Sequence, residues 1–389
     1  MQPLPTVRVN RKAADRIHSG HVWIFLSDII DATSASAGDT TRVIDHQGRP
    51  LGIAHYSSTS QISLRLLSRH VESIDESFLL RRIQAAYALR QRLVSNSDAY
   101  RLVHAEGDLL PGLIVDRYAD WLVVQLLDQG MDRLSPEIVA ALGAVLHPAG
   151  IIARNDVAVR AKENLPQEVR VLAGEVPEQI SIHMNGLTCR ADLHTGQKTG
   201  VFLDQRENYL AARRYGKGRA LDCFTGTGGF ALHLASVCET VEAVDSSAAA
   251  LDVARANAEA NNFTNIAFHQ ADVLDYLPSL VAARRTFDMV IVDPPAFTKS
   301  RGALEGAARG YKEINLRALR LLQPGGALVT CSCSHHMSEA HLLEIIAAAA
   351  LDCGKQLRVL ERRTQSQDHP ILLTVPETHY LKCLIFEVL

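Results

Sequence analysis

The sequence predicts an α/β protein: a β-rich barrel, then a central α+β segment, then a parallel sheet covered by helices on both faces. Three observations carry this. From about residue 186, apolar strand-like runs alternate with helical stretches. A glycine turn, LDCFTGTGGFA, follows the first of those runs. The opening 74 residues instead show short alternating runs broken by glycine about every ten positions.

In the first segment, residues 1–74, VRVNRKAADRIHSGHVWIF, AGDTTRVIDHQGRPLGIAHY and QISLRLLS read as short strands and turns. The second, residues 75–185, opens with helical periodicity over 75–93. LVHAEGDLLPGLIVDRYADWLVVQLL then reads as strands joined by Gly/Pro turns, a helix is expected near 135–146, and further strands run to about 185. In the third, residues 186–389, strands are expected at 219–224, 240–246, 265–272, 287–295 and 325–334. The stretches between them, such as SSAAALDVARANAEANN, have helical spacing, and such alternation implies a parallel sheet buried on both faces. LRVLERR and YLKCLIFEVL close the chain as two more strand-like runs.

Composition narrows the class. Of 389 residues, 47% are hydrophobic and 21% charged, ordinary for a globular protein with several cores. No run approaches the roughly 20 apolar residues of a membrane helix. The opening MQPLPTVRVNRK lacks the apolar stretch of a signal peptide. Seven cysteines, all between 189 and 383, do not form a disulfide framework, so a reduced, cytoplasmic protein is expected. The net charge of −3 is uninformative, but its distribution is not. Residues 186–220 carry seven Lys/Arg against three acids and 299–320 carry six against two, whereas 221–298 has ten acids against three Arg. Basic flanks around an acidic centre suit a polyanionic substrate beside a cationic cofactor.

In open sheets of this kind, ligands bind beyond the carboxyl ends of the strands. Gly226, Gly228 and Ala231 match G-x-G-x-x-G/A, with Asp245 19 residues after Gly226. A nicotinamide enzyme therefore has to be weighed. Asp222 argues against it, because a carboxylate four residues before the first glycine would face the pyrophosphate. Two like charges about 4 Å apart cost on the order of 1 kcal/mol even in water. S-adenosylmethionine (SAM) carries a sulfonium and an ammonium and no phosphate, so the same acid becomes attractive. Asp245 can accept from both ribose hydroxyls and Asp272 from the adenine amino group. Phe224, Gly226, Gly228, Ser246 and Asp293 complete the expected cofactor set. A helix N-cap is the competing reading for any one of these acids.

The fourth strand of this segment ends in DPPAF, Asp293 to Phe297. Pro294 and Pro295 fix the backbone direction and remove two donors, leaving carbonyls free for a substrate base. In amino-group methyltransferases an aromatic directly follows the prolines to stack on the base; here Ala296 intervenes before Phe297. The fifth strand ends in CSCSHH, residues 331–336. Zinc held by Cys331, Cys333, His335 and His336 is disfavoured, because four ligands this close cannot easily form a tetrahedron. A disulfide between positions two apart is geometrically poor. Two core thiols, or one nucleophile, remain. A thiolate adding at carbon 6 of cytosine makes carbon 5 electron-rich enough to take a methyl, with Asp293, protonated or donating through water, supporting the charge on ring nitrogen 3. Either cysteine fits locally.

GHVWIF, SQISLRLL, LVHAEGDLLPGLIVDRY, GQKTGVFLDQREN, LDCFTGTGGFAL, DPPAF, SCS and DHPI, in this order over nearly the whole chain, resemble the bacterial ribosomal large-subunit RNA cytosine-5 methyltransferases. The resemblance implies an N-terminal PUA barrel, a central α+β domain and a Rossmann-like class I SAM methyltransferase domain. It implies formation of 5-methylcytosine in 23S ribosomal RNA, on the RNA or on a large-subunit assembly intermediate, with a homodimer among the expected states. Carried over by residue, Cys333, seven after Gly326, takes the nucleophile position, and Asp293 the base-recognition position. Lys198, Gln205 and Arg206 in GQKTGVFLDQREN are expected at the mouth for cofactor and substrate, and Arg11, Lys12 and Arg16 beside Trp23 are candidates to contact phosphate and sugar. The second cysteine that assists release in many RNA cytosine methyltransferases has no counterpart in Pro295-Ala296-Phe297. A 23S guanine N-methyltransferase, which needs no thiol, is the rival reading, and an NAD-dependent oxidoreductase a distant one.

Overall fold

A computed structural model describes residues 4–196, 198–297, 304–334 and 336–389. Each of the three sequence segments builds its own main sheet. Two compact units emerge: residues 1–182, 191–201 and 367–378 form one, and residues 183–190, 202–366 and 379–389 the other.

The first unit begins with β1 (Thr6–Val9), α1 (Arg11–His18), β2 (Trp23–Phe25), β3 (Ile29–Asp31), β4 (Thr40–Ile44), β5 (Pro50–Tyr56) and β6 (Ile62–Ser68). The six strands form one sheet in the order β2-β6-β5-β4-β1-β3, and Val7, Val9, Ile17, Ile24, Val43 and Leu64 belong to its core. Helix α1 departs from the expectation of strands and turns. Asn10 starts it, its side chain accepting from Ala13 N, and Ala13, Ala14 and Ile17 bury one face.

The central sheet follows α2 (Glu76–Leu93) and comprises β7 (Ala99–His104), β8 (Leu113–Tyr118), β9 (Trp121–Leu126), β10 (Gly150–Arg154) and β11 (Val169–Gly174). Between its strands lie α3 (Gln129–Arg133), α4 (Ser135–Leu146) and α5 (Val159–Lys162). Arg90 of α2 is fully buried and grips Asp108 with two bonds of 2.5 and 2.7 Å. The GQKTG stretch is tied to this unit: Thr199 Oγ1 donates to Asp116 Oδ2 at 2.6 Å and lies 2.9 Å from the Tyr118 hydroxyl. Two motifs some 80 residues apart in sequence thus meet here.

A two-stranded sheet, β12 (Gln179–Met184) and β13 (Leu187–Asp192), leads towards α6 (Arg206–Arg213). Then come β14 (Arg219–Cys223), α7 (Gly229–Ala235), β15 (Thr240–Asp245), α8 (Ala248–Ala260), β16 (Ile266–Gln270), α9 (Val273–Ala282) and β17 (Phe287–Val292). The chain finishes with α10 (Leu304–Leu321), β18 (Leu322–Ser332), α11 (Glu339–Asp352), β19 (Leu357–Arg363) and β20 (Lys382–Val388). The seven-stranded sheet has the order β16-β15-β14-β17-β18-β20-β19. Its first five strands in sequence are parallel, while β20 runs antiparallel to both β18 and β19. Leu221, Val290 and Leu328 from its middle strands pack with Tyr311, Ile314, Ile345 and Ile346 of α10 and α11. The order reverses between β14 and β17, which places a switch point at the carboxyl ends of those two strands.

Candidate active site

The glycine turn is built around two carboxylates. Asp222, near the end of β14, is fully buried. Its Oδ2 accepts from Thr225 Oγ1 at 2.6 Å and from Ala231 N at 2.9 Å, so it fastens the turn to the first coil of α7. Oδ1 is buried with no hydrogen-bond partner among the described residues. Burial, and then the charges of Asp293 and Asp245, push this carboxyl up to about 7. Asp245 ends β15, and its two oxygens accept from Gly226 N and Ser247 N, both at 2.9 Å. Each oxygen keeps a lone pair for a further donor.

Phe224, Gly226 and Gly228 all have positive φ, at 63°, 55° and 90°, and Gly228 is the N-cap of α7. A Cβ added at Gly226 would meet Phe202 at an ordinary contact distance of 3.8 Å. Gly229 is the opposite case, since an added Cβ would lie 2.4 Å from the Tyr209 ring. Tyr209 is buried, and Asp293, Asp204 and Asp222 all act on its hydroxyl, which burial foremost and then these acids raise well above the ordinary range. These charges gather around one ring.

Ser246 is exposed just beyond Asp245. Asp272 is exposed and caps α9, its Oδ1 accepting from Leu274 N at 2.8 Å. One oxygen thus does the N-cap work weighed from the sequence. Asp293 follows β17 at the switch point and accepts from Gln205 Nε2 at 3.0 Å. Pro294 is buried, Pro295 exposed, and the Phe297 ring packs edge-on against Tyr311 with centroids 4.8 Å apart.

The two cysteines at the end of β18 differ. Cys331 is fully buried and pairs across the strands with Cys383; burial and then that second thiol raise it well above the ordinary range. Cys333 is half-buried, one residue past the strand. Tyr311 braces its neighbours, its hydroxyl lying 2.8 Å from Ser332 Oγ and 3.2 Å from Ser334 Oγ. His335 lies outside the described residues.

The expected RNA-contacting residues fall into two groups. Gln205 and Arg206 belong to the unit of the large sheet and are buried, Arg206 facing Glu207 at 3.3 Å. Lys198, Arg11, Lys12 and Arg16 belong to the other unit. Lys198 is exposed with φ of 54° beside the anchored Thr199. Arg11 and Lys12 are exposed on α1. Arg16 is committed to the fold instead, 2.6 Å from Asp28 and stacked on the Phe25 ring at 4.8 Å. Tyr209, Tyr311 and Gly229 escaped the sequence reading, because single aromatics and a third glycine in a run carry no periodic signal.

This site fits SAM on its own geometry. It combines a buried carboxylate oxygen with no hydrogen-bond partner among the described residues, a second carboxylate with spare lone pairs, and a glycine turn at the switch point. The two carboxylates suit a cation. A methyltransferase domain model matches residues 216–372, and a PUA-like domain model matches 7–69. A Streptococcus mutans protein described as a SAM-dependent methyltransferase superposes with a TM-score of 0.84 at 22% identity, over 98% of this chain and 100% of that one. A further methyltransferase structure, complexed with SAH, superposes with a TM-score of 0.85 at 21% identity over the same shares. The fold is therefore that of SAM-dependent methyltransferases. The ribosomal RNA large subunit methyltransferase I of Tolumonas auensis is 42% identical over 391 residues, spanning 98% of both chains. That of Photobacterium profundum is 42% identical over 372 residues, 93% of this chain and 94% of the other. With such similarity along nearly its whole length, the chain belongs to the ribosomal RNA large subunit methyltransferase I family.

Proposed function

We propose that the protein methylates carbon 5 of a cytosine in 23S ribosomal RNA, in the cytoplasm, through a transient bond from Cys333 to carbon 6 of the base. Its methyl donor is S-adenosylmethionine, which when bound supplies an electrophilic methyl on a sulfonium. Asp222 and Asp245 hold that cation and its ribose, and the glycine turn lets the backbone approach. The exposed Arg11 and Lys12 of the PUA-like domain, and Lys198, meet RNA phosphates. Domain boundaries near residues 74 and 185 go with this reading.

The observation that carries it is the contrast at the end of β18. Cys331 is sealed in the sheet, whereas Cys333 is half-exposed just past the end of β18, the neighbour of β17, which Asp293 follows. A nucleophile has to reach its substrate, and only the second thiol meets that need. Addition of the Cys333 thiolate at carbon 6 moves the ring electrons towards carbon 5. Asp293, oriented by Gln205, supports the negative charge that gathers on ring nitrogen 3 through a water that donates to that nitrogen. Once carbon 5 has taken the methyl, its proton passes to solvent, the C5–C6 double bond reforms, and the carbon–sulfur bond breaks with the sulfur keeping its electron pair.

Ribosomal RNA from a strain lacking this protein, incubated with enzyme and labelled SAM, is to be digested and its nucleosides weighed. Labelled 5-methylcytidine is the expected product. A labelled methylguanosine overturns the reading in favour of an N-methyltransferase.

A further inference from the structure

A buried lysine sits under the turn that carries Cys333. Lys382 opens β20, where its Cα faces that of Ser332 across the ladder with β18. Its side chain is almost wholly enclosed, and its Nζ donates to the carbonyl oxygens of Ser334 at 2.8 Å and Tyr380 at 2.9 Å. Ser334 directly follows Cys333, so the ammonium grips the turn one peptide beyond the sulfur. From α10, the Tyr311 hydroxyl braces Ser332 and Ser334, leaving Cys333 between two fixed neighbours.

Burying an ammonium is costly, and two carbonyls do not demand a charge. The titratable groups that act on Lys382 are Cys333 and, from α11, Glu339, which also pairs with Arg362. Burial lowers the lysine to about 8, while these two groups favour its charged form. Cys333 also bears on the Tyr311 hydroxyl, which burial first of all, then this thiol and Asp293, push up. Coupling between charges is reciprocal: a thiolate that stabilises an ammonium is stabilised by it to the same degree.

We propose that Lys382 is the positioning residue for Cys333, its ammonium keeping the sulfur as a thiolate and holding the turn that aims it. This rests on the reading of Cys333 as the nucleophile. No proton passes between the two groups during turnover. The thiolate gives its electron pair to the new bond at carbon 6 and recovers it when that bond breaks, so the lysine faces the same anion before and after. A neutral thiol would add far more slowly.

The test is alkylation of the full-length protein by iodoacetamide from pH 6 to 9.5, followed on the peptide that carries Cys333 by mass spectrometry. Wild type, Lys382→Met and Lys382→Arg are compared, with SAM affinity as the check on folding. In wild type the half-maximal rate should fall below the ordinary thiol value of about 8.5. Lys382→Met should move it up, slowing alkylation and methyl transfer at pH 7 about tenfold, with methyl transfer recovering at high pH. Lys382→Arg should stay close to wild type. A wild-type midpoint at or above the ordinary value, which needs no variant to fold, overturns the proposal, as does an unshifted profile in Lys382→Met. Methyl transfer that survives Cys333→Ala overturns the nucleophile reading itself. Loss of transfer in Cys333→Ala with an unshifted Lys382→Met profile removes only the role of the lysine.

Discussion

Gln205 Nε2 donates to Asp293 Oδ2 at 3.0 Å, joining the block before β14 to the acid at the end of β17. The amide has only one orientation available. Its Oε1 accepts from Asn208 Nδ2 at 2.7 Å, and Asn208 Oδ1 in turn accepts from Arg363 Nε at 2.9 Å. Gln205 therefore presents its NH₂ to the carboxylate. Gln205→Leu keeps the volume and removes the donor. A hydrogen bond to a charged group contributes about 1.5–3 kcal/mol, so kcat/KM should fall by about 10- to 100-fold. Steady-state kinetics on RNA, with a thermal melt alongside, measure it.

On the proposed reading, Asp222 links cofactor binding to pH. With its folded value raised to about 7 from 3.8, the folded chain holds an extra proton between those limits. The stability this group contributes is complete below the lower value and is lost as pH rises through the upper one. A cationic ligand favours the ionised form, so SAM affinity should rise by up to about tenfold between pH 6 and pH 8. Isothermal calorimetry should show the rise in wild type and a flat profile in Asp222→Asn.

Gly229 and Tyr209 share one space. Gly229→Ala places a methyl 2.4 Å from the Tyr209 ring, and overpacking of this kind costs about 1–3 kcal/mol. Thermal unfolding should register that loss, and SAM affinity should drop with it, because the turn and α7 move together. Restored stability in the double variant Gly229→Ala/Tyr209→Leu would identify the ring as the cause.

Arg90 tests the other unit. Both it and Asp108 are enclosed, with side-chain exposures of 0% and 4%. Arg90→Met leaves the carboxylate without its cation, which should cost about 3–5 kcal/mol in chemical denaturation.

The parallel sheet was legible because its strands are short apolar runs punctuated by helix caps such as Ser247 and Asp272, whose side chains accept from Ala250 N and Leu274 N. Helix α1 was not, since eight residues between two strands give little room for periodicity, and only Asn10 marked its start. The places of Asp222, Asp245 and Asp272 at or near the ends of strands could be read from the sequence. Their hydrogen bonds could not: Asp222 spends one oxygen on Ala231 N, nine positions away. Arg16 looked available for RNA because its partner Asp28 lies across a strand and a turn. Lys382 lies 49 positions beyond Cys333 in sequence, and only the antiparallel return of β20 brings it under that turn.

The most direct measurement uses target RNA carrying 5-fluorocytidine, incubated with enzyme and SAM and resolved on a denaturing gel. Fluorine at carbon 5 cannot leave as a proton would, so the bond from enzyme to base should persist. A covalent complex is expected, mapping by peptide mass spectrometry to Cys333, absent in Cys333→Ala and retained in Cys331→Ala. A substrate that is methylated when unmodified but yields no complex when fluorinated, or a complex mapping to another residue, contradicts the account.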